Sequence, residues 1–248
     1  MRGTLILLSG ILAATLLSVS AQPQSPTTSP KGTPSPTPTE AASSRHSLRY
    51  VAPKGTITGT RKGIDAGTRG WTANLPAIYV LAPDHTGLTT HAQPTFFWYQ
   101  SAPTNTRMEL TLIVQGKPGW VLRVALDKAE QAGIHRLSLE RYHVSLTPGV
   151  VYRWSVALVP NPNGRSQDLI ASDTIKRIEP DAQLSSSVSV GKNVEKAAVY
   201  ASRGIWYDAL ESITSEIDAA ASDRELRQQR SSLLAQAGLS VTIPAGRK

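Results

Sequence analysis

Period two is the feature that most limits what this chain can become. In VYRWSVALV (151–159), Tyr152, Trp154, Val156 and Leu158 alternate with Arg153, Ser155 and Ala157. A strand turns successive side chains to opposite faces, so this pattern describes a ribbon with one face in and one face out. The alternation recurs at Met108, Leu110, Leu112 and Val114, and again at Trp120, Leu122, Val124 and Leu126. Lys117-Pro118-Gly119 lies between these two runs and has the chemistry of a hairpin connection. Ala77–Leu81 (AIYVL), Thr95–Tyr99 (TFFWY), a weaker stretch at Leu137 and Leu139, and Leu169–Ile178 complete the strand candidates. Short strands joined by turns, without helices between them, predict an antiparallel sandwich or barrel.

The stretch before the strongest strand adds detail. Leu146-x-Pro148-Gly149-x-x-Tyr152 matches the tyrosine corner of immunoglobulin-like and fibronectin-III-like sandwiches, in which the phenol bonds backbone a few residues upstream. Tyr152 and Trp154 could also form a sugar platform. Their shared face with Val156 and Leu158 favours the core instead.

After Glu179-Pro180 the period changes. Val194, Ala197, Ala198 and Ala201 sit at helical spacing, and Gly204 supplies a stop. Ile205, Ala209, Ile213 and Ile217 line a second helix, beside Trp206 and Leu210. Ser222-Asp223-Arg224-Glu225 reads as a capping box for a third, polar helix reaching about Ala237. Ala197, Tyr200, Gly204, Trp206 and Ala209 follow the spacing of a tetratricopeptide-like hairpin. One hairpin cannot bury both its faces, so it docks on the sandwich or accepts a partner; docking is the preferred reading.

The N-terminus predicts export. Arg2 precedes an apolar run from Leu5 to Leu17, and Val19-Ser20-Ala21 offers a signal-peptidase site, so cleavage is expected near Ala21. The run is shorter than a membrane span of ~20 residues. From Gln22 to Ser44, sixteen of twenty-three residues are Pro, Ser or Thr, too few of them apolar to offset ordering entropy. Residues 54–70 are Gly-rich and basic, with an edge strand possible only near Thr56–Thr60. The expected organisation is a leader at 1–21, a disordered linker at 22–70, a β-sandwich at 71–180, a two- to three-helix region at 181–238 and a flexible tail at 239–248.

Net charge is +8, but residues 1–70 hold eight Lys/Arg against two Asp/Glu. The foldable remainder is nearly balanced, which argues against a nucleic-acid partner. The basic arm fits an anionic surface such as lipid headgroups or wall polymer, or simply keeps itself solvated. The chain has no cysteine, which excludes thiol catalysis and thiolate metal sites.

GIDAGTRG (63–70), QPTFFWY (93–99), LTPGVVYRWSVAL (146–158), NGRSQD (163–168), IKRIEP (175–180) and VEKAAVYASRGIWYDAL (194–210) occur in that order. Together these blocks resemble the bacterial family known as domain of unknown function 928, common in cyanobacteria, over about residues 60–220. The resemblance implies an exported protein with a β-rich core and a helical C-terminal part, and implies no activity. It also implies cysteines where this chain has Trp71 and Pro160.

No G-x-S-x-G elbow, phosphate loop or H-E-x-x-H spacing is present, and His46, His85, His91, His135 and His143 read as ordinary surface histidines. A non-enzymatic envelope protein without cofactor or metal is therefore expected. Its expected partner is another envelope protein; the alternative is a cell-wall glycan met by Trp98 or Trp120, and a hydrolase ranks last. Arg165, Ser166 and Asp168, flanked by Arg69 and Arg177, mark a candidate interaction surface, with Trp206 on the helical part.

Overall fold

The structure is a computed structural model that describes residues 48–54, 75–127 and 130–239. Strand β7 (Val151–Val159) is the longest run of alternation and sits inside a five-stranded sheet ordered β2-β8-β7-β4-β5. Its neighbours are β4 (Arg107–Val114) and β8 (Leu169–Arg177), with β5 (Leu122–Leu126) and β2 (Gly87–Thr89) at the edges. A second sheet has the order β1-β3-β6, from β1 (Ile78–Val80), β3 (Thr95–Gln100) and β6 (Gly133–Ser138). The protein is thus mainly β, with two sheets and a C-terminal helical part.

Pairing is antiparallel with one exception, which departs from the expected wholly antiparallel arrangement. The three residues of β2 run parallel to β8, Gly87 opposite Ile175. Gly-Leu-Thr carries no readable alternation, which is why the strand is invisible in the sequence. The expected strand through Leu139 ends at Ser138, where the chain turns into a 3-10 helix at Leu139–Tyr142 capped by the Ser138 hydroxyl.

The β7 rings are interior. Trp154 is fully buried and Tyr152 nearly so. Phe96 of β3 stacks on Trp154 at 4.5 Å between centroids, so a ring from each sheet meets in the middle. The Thr147 backbone N–H donates to the Tyr152 hydroxyl at 3.1 Å, closing the bond that the corner pattern calls for.

Among the described residues four α-helices follow: α1 (Ala182–Ser189), α2 (Asn193–Ser202), α3 (Trp206–Ala219) and α4 (Arg224–Gln236). Helix α1 is one more than expected; Asp181 caps it by accepting from the Leu184 N–H, but its serine-rich body shows little apolar period. The cap of α4 is Asp223, one residue later than expected, because its carboxylate reaches the N–H groups of both Glu225 and Leu226. Between α2 and α3, Gly204 adopts φ +73°. Its N–H donates to the Ala201 carbonyl and the Ile205 N–H to the Tyr200 carbonyl, a Schellman closure.

The helices dock on the sheets. Trp206 is completely buried, and its indole N–H donates to the Leu81 carbonyl at 2.9 Å. Tyr207 lies beside it in the core; its hydroxyl accepts from Trp154 Nε1 at 2.8 Å and donates to the Thr174 carbonyl at 3.3 Å. One apolar cluster therefore runs from β3 and β7 into α2, α3 and α4.

The stretch expected as linker also contains a docked strap. Leu48 is buried, the Val51 N–H donates to the Ala201 carbonyl at 3.0 Å, and Gln236 bonds both the Leu48 carbonyl and the Tyr50 N–H. Tyr50 packs edge-on against Trp206 and shares a hydrogen bond with His85. Leu48 and Tyr50 provide the apolar area that the Pro/Ser/Thr stretch lacks. A Cβ at Gly204 would stand 2.7 Å from the Val51 carbonyl oxygen, so the glycine admits the strap as well as the turn. The expected leader, the Pro/Ser/Thr stretch, the Thr56–Thr60 strand and Trp71 lie outside the described residues, as does the tail beyond Leu239.

Candidate functional site

Both sheets end on the same side of the molecule. Strand β5 closes the five-stranded sheet and β6 closes the three-stranded one. Between them and α3 lies a groove of about 1020 Å³, lined by Trp98, Leu126, Ile134, Arg136, Tyr142 and Glu211 among others. In an antiparallel ladder, alternate residues direct their N–H and C=O groups to alternate neighbours. The Leu139 N–H donates to the Pro94 carbonyl, which sets the phase: Gly133, His135 and Leu137 pair with β3. Ile134, Arg136 and Ser138 therefore point their backbone groups away from β3, toward the open side. The indole N–H of Trp98, a lining residue whose ring stacks on His135, is buried without a hydrogen-bond partner among the described residues. The groove thus offers an edge of backbone donors and acceptors and one unsatisfied buried donor.

Its floor adjoins a polar joint between the β part and α3. Asp208, completely buried, accepts from the hydroxyls of Thr89 and Thr90 at 2.5 Å each and from the Thr90 N–H at 2.8 Å. One turn on, Glu211 accepts from the Thr95 hydroxyl at 2.6 Å and from His91 Nδ1 at 3.1 Å. His91 Nε2 stands 3.9 Å from Asp208, so one imidazole bridges two carboxylates. Burial raises the Asp208 carboxyl above the usual carboxylate range, against the opposing pull of His91 and the threonines. The bonds from His91 and Thr95 overcome burial at Glu211 and hold it low, while the Glu211 bond holds His91 high.

These directions predict a pH dependence. A histidine raised above its ordinary 6.5 stabilises the fold below that value, and the contribution is lost as pH rises through the folded value. The melting temperature is expected to fall by about 2 °C on the alkaline side of 6.5, a small effect because the imidazole is partly solvated. His91→Gln should flatten that slope in a melting series, and equal slopes in the two proteins would remove His91 as its source.

The expected interaction residues fall elsewhere. Arg165 joins the outer face of the five-stranded sheet, where it pairs with Glu109 at 2.9 Å and Asp168 at 2.6 Å. Glu109 is also held by Arg107 and Arg123, and Arg165 first, then Arg123, draw its carboxyl down to about 2 despite burial. Ser166 lies in the 3-10 turn between Arg165 and Gln167. Arg177 donates to the Leu146 carbonyl and pairs with Glu179, at the opposite end of β8 from Asp168. Trp206 is in the core and cannot meet a partner, and Arg69 lies outside the described residues. Of the two tryptophans expected to meet a glycan, Trp98 is buried whereas Trp120 is 65% exposed.

Sequence reasoning missed Asp208, Glu211 and His91. The signal was present: two carboxylates three apart on the apolar stripe of α3 are expensive there without partners. No group of three or more histidine or carboxylate side chains among the described residues is placed to hold a metal ion. No described helix is long and apolar enough to cross a membrane.

A two-sheet β protein with helices packed into the same core, and an open groove between its sheet edges, is the class that this geometry defines. The profile of a family described as Domain of Unknown Function (DUF928) matches residues 61–245, and the chain belongs to that family. A search of curated proteins finds no match.

Proposed function

We propose that this is an exported, non-enzymatic binding module of the cell envelope, which takes an extended segment of a partner protein into the groove between β5 and β6. The leader and its site near Ala21 put the chain outside the cytoplasm, and the linker from Gln22 presents it at a distance. The β part is an immunoglobulin- or fibronectin-III-like sandwich, supported by the Tyr152 corner and the Phe96–Trp154 stack, and α2 with α3 forms a tetratricopeptide-like hairpin turned onto it. The single observation that carries the reading is the backbone edge of Ile134, Arg136 and Ser138, which no strand among the described residues pairs with and which faces a groove large enough for a strand. Main-chain bonds would give affinity, and the aromatic and polar walls selectivity. The polar joint supports the non-enzymatic assignment, because threonine donors occupy both oxygens of Asp208.

The test uses proline. Arg136→Pro removes an N–H that β3 does not use, so the sheet survives while strand addition is blocked. A photo-crosslinker at Tyr142 is expected to give a discrete adduct in the native envelope that disappears in Arg136→Pro, with circular dichroism unchanged. An adduct that persists, or one equally formed from Glu179, would refute the groove as the contact.

A further inference from the structure

The turn from β4 to β5 does something the groove does not explain. Gln115–Val121 (QGKPGWV) projects as a hairpin tip, every residue of it exposed. Gly116 at φ +76° and Gly119 at φ +91° build the turn. Trp120 is 65% and Val121 38% exposed, and the Arg123 guanidinium lies 4.6 Å over the Trp120 ring. An indole this exposed loses free energy in water that it regains at a polar–apolar boundary.

The surface around the tip is charged in one sense. Register places Arg153 beside Ile113 and Lys176 beside Val151 on the outward side of the five-stranded sheet. With Lys117 at the tip, three cations surround Trp120, Val121, Ile113 and Val151, while Arg123 over the Trp120 ring is paired with Glu109. Asp173 is opposite Trp154 and so belongs to the inward side. The next outward carboxylate, Glu109, is neutralised by Arg107, Arg123 and Arg165, and Glu179 beyond β8 is paired with Arg177.

We infer that this hairpin tip and the adjoining outward rows of β4, β7 and β8 seat on an anionic lipid surface. Cations around a protruding indole match headgroup charge outside and the acyl boundary within. A convex, partly apolar tip suits a deformable plane, whereas a stiff acidic polymer would leave Trp120 and Val121 wet. This surface is separate from the β5–β6 groove, so either assignment can fail alone.

The experiment is co-sedimentation of the purified protein with vesicles of pure phosphatidylcholine, and of phosphatidylcholine with phosphatidylglycerol. Retention is expected with the anionic vesicles only, falling with salt. Trp120→Ala and the double variant Lys117→Glu/Arg153→Glu, both of which leave the Glu109 ion cluster in place, are each expected to weaken retention about tenfold. Their unchanged melting temperatures keep the comparison free of folding effects. Absence of retention on anionic vesicles, or retention that neither variant alters, overturns the inference. So does loss in the double variant alone with dextran sulfate competing fully, because that pattern describes a generic anion contact without the indole.

Discussion

Trp154→Ala is expected to destabilise the protein by about 3–5 kcal/mol, the range for deleting a large buried ring. For a chain of this size that is about 10 °C in melting temperature. The indole stacks on Phe96 across the two sheets, and its N–H donates to Tyr207 on α3. Its loss opens a cavity at the one place where both sheets and the helices meet, and leaves the Tyr207 hydroxyl without its donor. A two-state melt checks this: a shift below about 3 °C would mean that the ring is not the keystone described here. Trp120→Ala is the internal reference, expected within about 0.5 kcal/mol of the parent because its ring is solvent-facing.

Asp208→Ala is expected to be nearly as damaging, at about 3 kcal/mol. The carboxylate accepts from the Thr90 N–H and from two threonine hydroxyls, and removing it orphans donors inside the β–α3 joint. Asp208→Asn keeps one carbonyl acceptor and the side-chain shape, so it should lose roughly half as much. Urea unfolding of the three proteins gives the order directly. Equal stabilities for Asp208→Ala and the parent would show that the carboxylate's burial offsets everything its bonds supply.

How far the fold could be read depended on whether the information was local. Alternation in β4, β5 and β7 fixed those strands because each has one buried face. The TFFWY run of β3 is buried on both faces and showed only as an apolar block, while Gly87–Thr89 was too short to show any period. The bond from the Thr147 N–H to the Tyr152 hydroxyl was legible because donor and acceptor lie five residues apart. The groove was not, because β5 and β6 become its walls only through the order of two separate sheets. The joint was hidden for the same reason: His91 and Glu211 are separated by 120 positions, and nothing local announces that pairing. Trp206 misled because helical spacing gives an apolar stripe without saying whether sheet or solvent covers it.

The strap at Leu48–Lys54 is part of the packed body, although it lies ahead of the family match. The family match starts at residue 61, and composition alone would start the folded part later still. A fragment cut at either point would lose Leu48 and Tyr50, uncover Trp206 and Gln236, and strip the last turn of α2 of its Val51 bond. Leu48 and Val51 are bonded to the ends of α4 and α2, so a force applied at Leu48 is delivered straight to the helical layer.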